Sequence, residues 1–431
     1  MIFSLISHRS SLSKKLLLLA EYSSIASGFC IFLILLKNMK SAEFAEWEWL
    51  QVWLGLCLLL PRNGLDLVAI RSAYRQPALL REWSAIVIFV RLIISIPAFF
   101  IFWTGANVIG INETQCIVTL GLTLPLSASM PDIGARAQAR FSRVSLILML
   151  RNLIFLVMLL LRSNFNMTSV ATLFLFCESL IWSAWWMDSR QNSIMPGGRW
   201  ITLLYHGRNA ILYRSLQQSL SRWLRVASYS IDAILLGLIM PDIWATMAPA
   251  RRILLSVTIP FGNWLGSISH QMTTWPEEKM RQADTKAKMS FILLTLFTIL
   301  IAEVHSPTKF LSCNTKILLL SLARFGGIAY GFWLVSVLTA QRNDNKSMIV
   351  PAIFCMNCLV YCIMAQFIQQ ITNLIIGMIL LDWISILMAR NYIWQRKHET
   401  VKKQLSTAPA LRVKQLNIRR RADLESARSH A

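Results

Sequence analysis

The chain has 431 residues, 55% of them hydrophobic and only 15% charged, with a mean hydropathy of +0.52, which excludes an ordinary soluble globular domain. Its net charge of +22 does not mark a nucleic-acid binder, because Lys and Arg lie in the connections between apolar runs and form no basic stripe with interleaved aromatics. The eight cysteines fall mostly inside apolar runs, where Cys acts as a small hydrophobe, so neither a disulfide framework nor a zinc site is read from them.

A hydrocarbon core of about 30 Å takes about 20 apolar residues per helix, and about twelve such stretches are legible. Runs of this length do not alternate as barrel strands would, and a spanning backbone must satisfy its own hydrogen bonds, so the expected fold is an all-α polytopic membrane protein. The basic start "MIFSLISHRSSLSKK" leads, with no small-residue cleavage site, into a retained first helix at about 16 to 36. Further spans are expected near 45 to 61, 83 to 104, 114 to 133, 144 to 161, 168 to 187, 220 to 240, 244 to 268, 288 to 304, 315 to 340, 348 to 367 and 370 to 390.

Basic residues alternate from loop to loop. One face receives Arg9, Lys14 and Lys15, then Arg62, Arg71, Arg75 and Arg81, and so on through Arg342 and Lys346. The other receives only Lys37, Lys40, Arg162, Lys309 and Lys316. The positive-inside bias then implies an even helix count with both termini cytoplasmic, and the cytoplasmic (inner) membrane is the expected location. The connection 188–219 opens with the helix-breaking "MPGGRW" and continues as an amphipathic stretch, read as an interfacial linker. It divides the chain into a six-helix lobe at 1–187 and another at 220–390, followed by a basic cytoplasmic tail at 391–431.

Full charges inside the spans carry the functional signal, since each costs about 2.5–3.5 kcal/mol at a helix centre and so faces a bundle interior or a wet cavity. They are Arg91, Arg151, Arg225, Arg251, Arg252 and Arg324, with the acids Glu21, Glu178, Asp232 and Asp382. Arginines outnumber carboxylates in this set, while Asp66 in "RNGLDLVAIRSAYR" stands alone on the cytoplasmic side. Arg225 and Asp232 are seven residues apart and share a helix face, and Arg251 and Arg252 follow one tight turn later. A structural ion pair is the plain reading of any one of them. The set as a whole suits a cavity for an anionic group, because guanidinium forks match phosphate and stay charged when partly dehydrated. Most of the sixteen tryptophans read as interfacial belt residues.

Two stretches carry a resemblance. "GLCLLLPRNGLDLVAIRSAYR" resembles the Gly-Leu-x-x-x-x-x-Arg pattern that closes the second helix of polysaccharide-precursor flippases, the Wzx-type members of the multidrug/oligosaccharidyl-lipid/polysaccharide exporter superfamily. "RVASYSIDAILLGLIMPDIWATMAPARRILL" resembles that family's seventh and eighth helices through Asp232, Leu235, Leu236 and Gly237, then Ala250 and Arg252, with Ala245 and Met247 where the family commonly has Gly and Tyr. The resemblance implies two six-helix lobes opening alternately to either face. It implies as substrate a polyprenyl-diphosphate-linked oligosaccharide, turned over for surface polysaccharide (O-antigen or exopolysaccharide) biosynthesis. It also implies membrane lipids, a polysaccharide polymerase and chain-length proteins as partners. On this reading Arg91, Arg151, Arg225, Arg251, Arg252 and Arg324 line a cationic lumen. Glu21, Glu178, Asp232 and Asp382 hold those arginines or take up a coupling H+ or Na+, and no other cofactor is expected. Two alternatives stand beside it: a small-molecule exporter of the same superfamily, and a membrane-embedded polymerase or glycosyl-transferring enzyme. The latter lacks the large outer loop it would need, and no nucleotide-binding loop is present, so no enzyme is read here.

Overall fold

The computed structural model describes residues 11–62, 65–133, 141–162, 165–191, 200–201, 226–227, 230–272, 275–304, 309–310, 313–340, 349–368 and 370–392. The chain forms two compact units, Met1–Asp382 and Trp383–Ala431, and every charged group treated below lies in the first. In the second, the described residues are helical to Tyr392. Arg225, most of the 188–219 linker and all but the first two residues of the 391–431 tail lie outside the described residues.

The fold is helical, as the apolar runs require. In chain order the helices are α1 (Ser11–Asn38), α2 (Ser41–Leu59), α3 (Leu65–Arg75) and α4 (Leu80–Val108). Then come α5 (Thr114–Gly121), α6 (Thr123–Ala128), α7 (Phe141–Leu160) and α8 (Met167–Gln191). They are followed by α9 (Ile231–Ile239), α10 (Pro241–Met272) and α11 (Glu277–Val304). The last three are α12 (Thr315–Ala340), α13 (Ile349–Phe367) and α14 (Ile371–Tyr392). One two-residue antiparallel pair, Lys309↔Asn314 and Phe310↔Cys313, turns the chain between α11 and α12.

Two departures from the sequence reading have local causes. The span expected at 114–133 is broken into α5 and α6, because Pro125 has no N–H and its ring crowds the carbonyl four residues back, at Gly121, where α5 ends. The "LDLVAIRSAYR" segment, read as a loop, is the separate helix α3, set off by a Pro77–Leu79 turn of 3-10 helix before α4. The join between α9 and α10 is sharp, since Pro241 occupies the first helical position, where a missing N–H costs nothing.

Helix faces divide as they do in lipid. On α4, Ile93, Ile96 and Phe100 are 52%, 61% and 63% exposed, while Arg91, Ser95, Ala98 and Phe102 on other faces are buried. α11 likewise presents Leu293, Leu296, Phe297 and Leu300 outward. So much exposed apolar surface is stable only against hydrocarbon. Among the described residues, six helices are long and apolar enough to cross a membrane, and three shorter apolar helices accompany them. Inside, α1 packs along α7, and α12 packs against both α10 and α11. The α11–α12 approach is close enough that a Cβ on Gly326 would overlap Thr295 Oγ1 and lie 2.7 Å from the Phe291 carbonyl oxygen. Phe261 of α10 fills the adjacent corner, edge-on to Phe291 and Phe325 at 5.6 and 5.5 Å.

Candidate functional site

Among the described residues, the charges at depth gather into two networks and two further pairs. Arg91, Arg151, Glu178, Arg251, Arg324 and Asp382 each stand about 14–17 Å along their helices at a 1.5 Å rise per residue, well clear of the helix starts.

The first network joins α9, α10, α12, α13 and α14. Asp232, in the first turn of α9, accepts from the Ala233 N–H at 2.8 Å and from Arg251 Nε at 3.3 Å, and lies 3.6 Å from Arg324 Nη1. Arg324 also donates through Nε to Asp382 Oδ2 at 3.2 Å. The other oxygen of Asp382 accepts from Asn357 Nδ2 at 3.3 Å and from the Tyr361 hydroxyl. Aromatic faces complete the enclosure, with the Arg251 guanidinium 5.8 Å from the Trp244 ring centre and that of Arg324 5.1 Å from Tyr361. Asp232, Arg251, Arg324 and Asp382 are all buried. Two full positive and two full negative charges balance, and the space beside Asp232, Arg251 and Arg324, bounded also by Leu254, Phe332 and Cys358, is about 30 Å³. That volume holds about one water and no sugar or diphosphate.

The second network centres on Arg91 of α4, 1% exposed. Its Nε donates to Asp66 Oδ1 on α3 at 3.0 Å, and its Nη2 lies 2.8 Å from the other oxygen as an ion pair. Its Nη1 donates to Asp132 Oδ1 at 2.9 Å and to the Met130 carbonyl at 3.2 Å. This fork geometry explains why an arginine, and not a lysine, stands here. Two carboxylates from two segments thus clamp α3 and the 130–132 turn onto α4. Nearby, Arg62 Nη2 donates to Ser127 Oγ at 2.7 Å. Separately, Arg151 of α7 pairs with Glu178 of α8 at 3.0 Å, with Arg151 one-third exposed and Glu178 buried.

α2 carries contacts to the second half of the chain. Trp49 Nε1 donates to the Ile234 carbonyl at 3.3 Å, and Trp244 Nε1 donates to the Ala45 carbonyl at 2.9 Å. Arg252 Nη1 lies 3.7 Å from Glu48 Oε2, with Arg252 38% exposed and Glu48 buried.

Of the residues singled out in the sequence, Asp232, Arg251, Arg324 and Asp382 thus come together, Arg151 meets Glu178, and Arg91 and Arg252 stand apart from both. Arg225 and the Glu21 side chain lie outside the described residues. Two expectations are corrected. Asp66 is not alone, since it is buried against Arg91. Arginines do not outnumber carboxylates among the described residues, because Glu48, Asp66 and Asp132 join Glu178, Asp232 and Asp382 as partners of the buried or half-buried arginines. Asn357 and Tyr361 were also missed. Their signal is present in "CMNCLVYC", where two hydrogen-bonding side chains four apart share one face of an otherwise apolar helix.

No protein-family model matches the sequence, and no curated protein matches it. Solved structures do match. An inward-facing multidrug-resistance MATE family transporter of the MOP superfamily is 14% identical, over 88% of this chain and 96% of that one, with a TM-score of 0.62. An outward-facing MATE family transporter matches at 12% identity over 91% and 97%, with a TM-score of 0.56. A Pyrococcus furiosus MOP superfamily transporter matches at 12% identity over 91% and 97%, with a TM-score of 0.54. The chain is therefore an all-α, multi-pass membrane protein with the twelve-helix fold of the MATE transporters of the MOP superfamily.

Proposed function

We propose that the protein is a transporter that works by alternating access in the cytoplasmic membrane, with its basic loops and termini on the cytoplasmic side. The reading is supported by a fold that solved relatives adopt in both inward-facing and outward-facing forms. It is also supported by the α2 contacts: among the described residues, two tryptophan hydrogen bonds and one ion pair of 3.7 Å join α2 to α9 and α10.

Between substrate classes, the geometry favours a small amphipathic solute, as in the exporters of the superfamily. The observation that carries this is the pairing of each described intramembrane arginine with a carboxylate, which leaves no standing positive charge to offset the desolvation of a diphosphate. Asp232, Asp382 and Glu178 are then the groups through which H+ or Na+ coupling acts, with Glu21 as a further candidate. The test is uptake by proteoliposomes of lipophilic dyes, cationic and anionic, under an imposed H+ or Na+ gradient, together with the drug susceptibility of cells lacking the protein. Gradient-driven dye movement is expected, and none with any dye or ion would refute the reading.

A second reading, turnover of a polyprenyl-diphosphate-linked oligosaccharide, is favoured by Arg151 and Arg252, whose guanidinium groups are one-third or more exposed and, among the described residues, each meet one carboxylate. Such groups are placed to exchange a carboxylate for a phosphate. On this reading the polymerase and chain-length proteins of surface polysaccharide assembly are its partners. Accumulation of lipid-linked oligosaccharide in cells lacking the protein would support it, and unchanged lipid-linked pools would exclude it.

A further inference from the structure

The ion pair that α2 makes with α10 is built unlike the other deep pairs. Among the described residues, the other carboxylates that meet an intramembrane arginine are Asp66, Asp132, Glu178, Asp232 and Asp382, and each accepts a hydrogen bond from a guanidinium. Glu48 differs. Its side chain is 4% exposed, yet Oε2 accepts no hydrogen bond and lies 3.7 Å from Arg252 Nη1. Three residues on, and so on the same side of α2, Gln51 Nε2 is enclosed without an acceptor. The pair is also lopsided. Arg252 is 38% exposed and keeps contact with a wet cavity when the two part, whereas the Glu48 carboxylate is enclosed.

The helices that pack along α2 are α1, α4, α6, α9 and α10. α6 carries no charged residue, Arg91 of α4 is held by Asp66 and Asp132, and Arg81 and Glu82 stand in the first turn of α4. Asp232 of α9 is held by Arg251 of α10, and Asp242 is exposed in the first turn of α10. Lys37 stands in the last turn of α1, while the side chains of Lys14, Lys15, Glu21 and His270 lie outside the described residues. On α2 itself, Glu43 is near Lys40 and Glu46 is exposed.

We propose that Glu48 is a proton site linked to an anion site at Arg252. A proton taken up on Glu48 replaces Arg252 as its partner, and the freed guanidinium takes an anionic oxygen group of a ligand, such as a sulfonate or phosphate. One positive and one negative charge enter together, so the pair is neutral before and after. The neutral carboxyl can then accept from Gln51 Nε2. A buried carboxylate left charged and alone is strongly destabilising, so the anion is not taken without the proton. This deepens the reading of Arg252 as a group that exchanges its carboxylate for a phosphate, and as a property of binding it is testable apart from transport.

Purified full-length protein in uncharged detergent is titrated with naphthalenesulfonate, whose own charge is constant near neutrality. Calorimetry is run at several pH values and in buffers of different ionisation enthalpy. The wild type takes up one proton per anion bound, and its affinity falls about tenfold for each unit rise in pH. E48Q, neutral at every pH, binds with no proton uptake and a flat pH profile. R252Q loses binding, and E48Q/R252Q, which leaves no carboxylate behind, serves if R252Q misfolds. No binding by the wild type, equal pH slopes in the wild type and E48Q, or binding that survives in E48Q/R252Q would each overturn the proposal. Absence of gradient-driven dye movement with the linkage intact would count against the transporter reading instead.

Discussion

Replacing Arg324 with Met removes the group that bridges Asp232 and Asp382, and the structure sets the size of the effect. The guanidinium lies 3.6 Å from one carboxylate and 3.2 Å from the other. At an effective dielectric constant of about 20, each contact is an attraction of about 5 kcal/mol before desolvation. Removing one partner of a buried pair costs about 3–5 kcal/mol, because the other is left charged and enclosed. R324M takes the four-residue set from neutral to one net negative charge, and D382N takes it to one net positive charge. R324M/D382N restores neutrality and leaves the Arg251–Asp232 pair intact. The double variant is therefore expected to recover about 1–3 kcal/mol relative to the sum of the single losses, the usual range for directly coupled side chains. Thermal unfolding of the purified variants, followed by tryptophan fluorescence, measures this. Strictly additive losses would refute the pairing. Transport by the stable double variant carries a second result: restored transport assigns the charges to holding the helices, whereas a folded but inactive protein assigns them to coupling.

Two further predictions rest on packing and on the α3 clamp. R91M leaves Asp66 and Asp132 buried without their shared cation and is expected to cost about 3–5 kcal/mol, measured as loss of folded protein in size-exclusion chromatography. R91M/D66N/D132N should elute closer to the wild type, and no recovery would sink this account. G326A drives a methyl group into Thr295 and the Phe291 carbonyl and should cost about 1–3 kcal/mol. G28A, with nothing within 4 Å of the added carbon, should gain about 0.5–1 kcal/mol in a helix interior, and a melting comparison reversing that order would refute the α11–α12 packing.

The spans were legible because a membrane helix must be apolar along its length, and the sequence reading found helices at the described spans to within a few residues, apart from the earlier start of α11. The break in the fourth span was written in the pair Gly121 and Pro125, whose spacing matches the proline-to-carbonyl clash, but the hydropathy of the stretch masked it. Charges at depth were visible one by one and their partners were not. Asp66 lies outside the long apolar runs, where an acid looks solvated, Asp132 stands at the very end of the span expected at 114 to 133, and only the folding of α3 and the 130–132 turn back onto α4 brings them to Arg91. Glu48 lies inside the span expected at 45 to 61 but is masked there by the tryptophans of "AEWEWLQVW". Counting charges by span therefore overstated the positive excess, and with it the case for an anionic substrate.

Most of the tryptophans were read as belt residues, yet Trp49 and Trp244 are buried and reach across to helix carbonyls, as Trp53 does to Phe102 at 3.2 Å. An indole N–H only donates, and it neither gains nor loses a proton at any pH a cell meets. The clasp these rings form is consequently blind to acidity. If the transport cycle responds to protons, the signal has to enter through the carboxylates and arrive at the tryptophans as a mechanical displacement of helices, and a change of pH alone gives the clasp no reason to open.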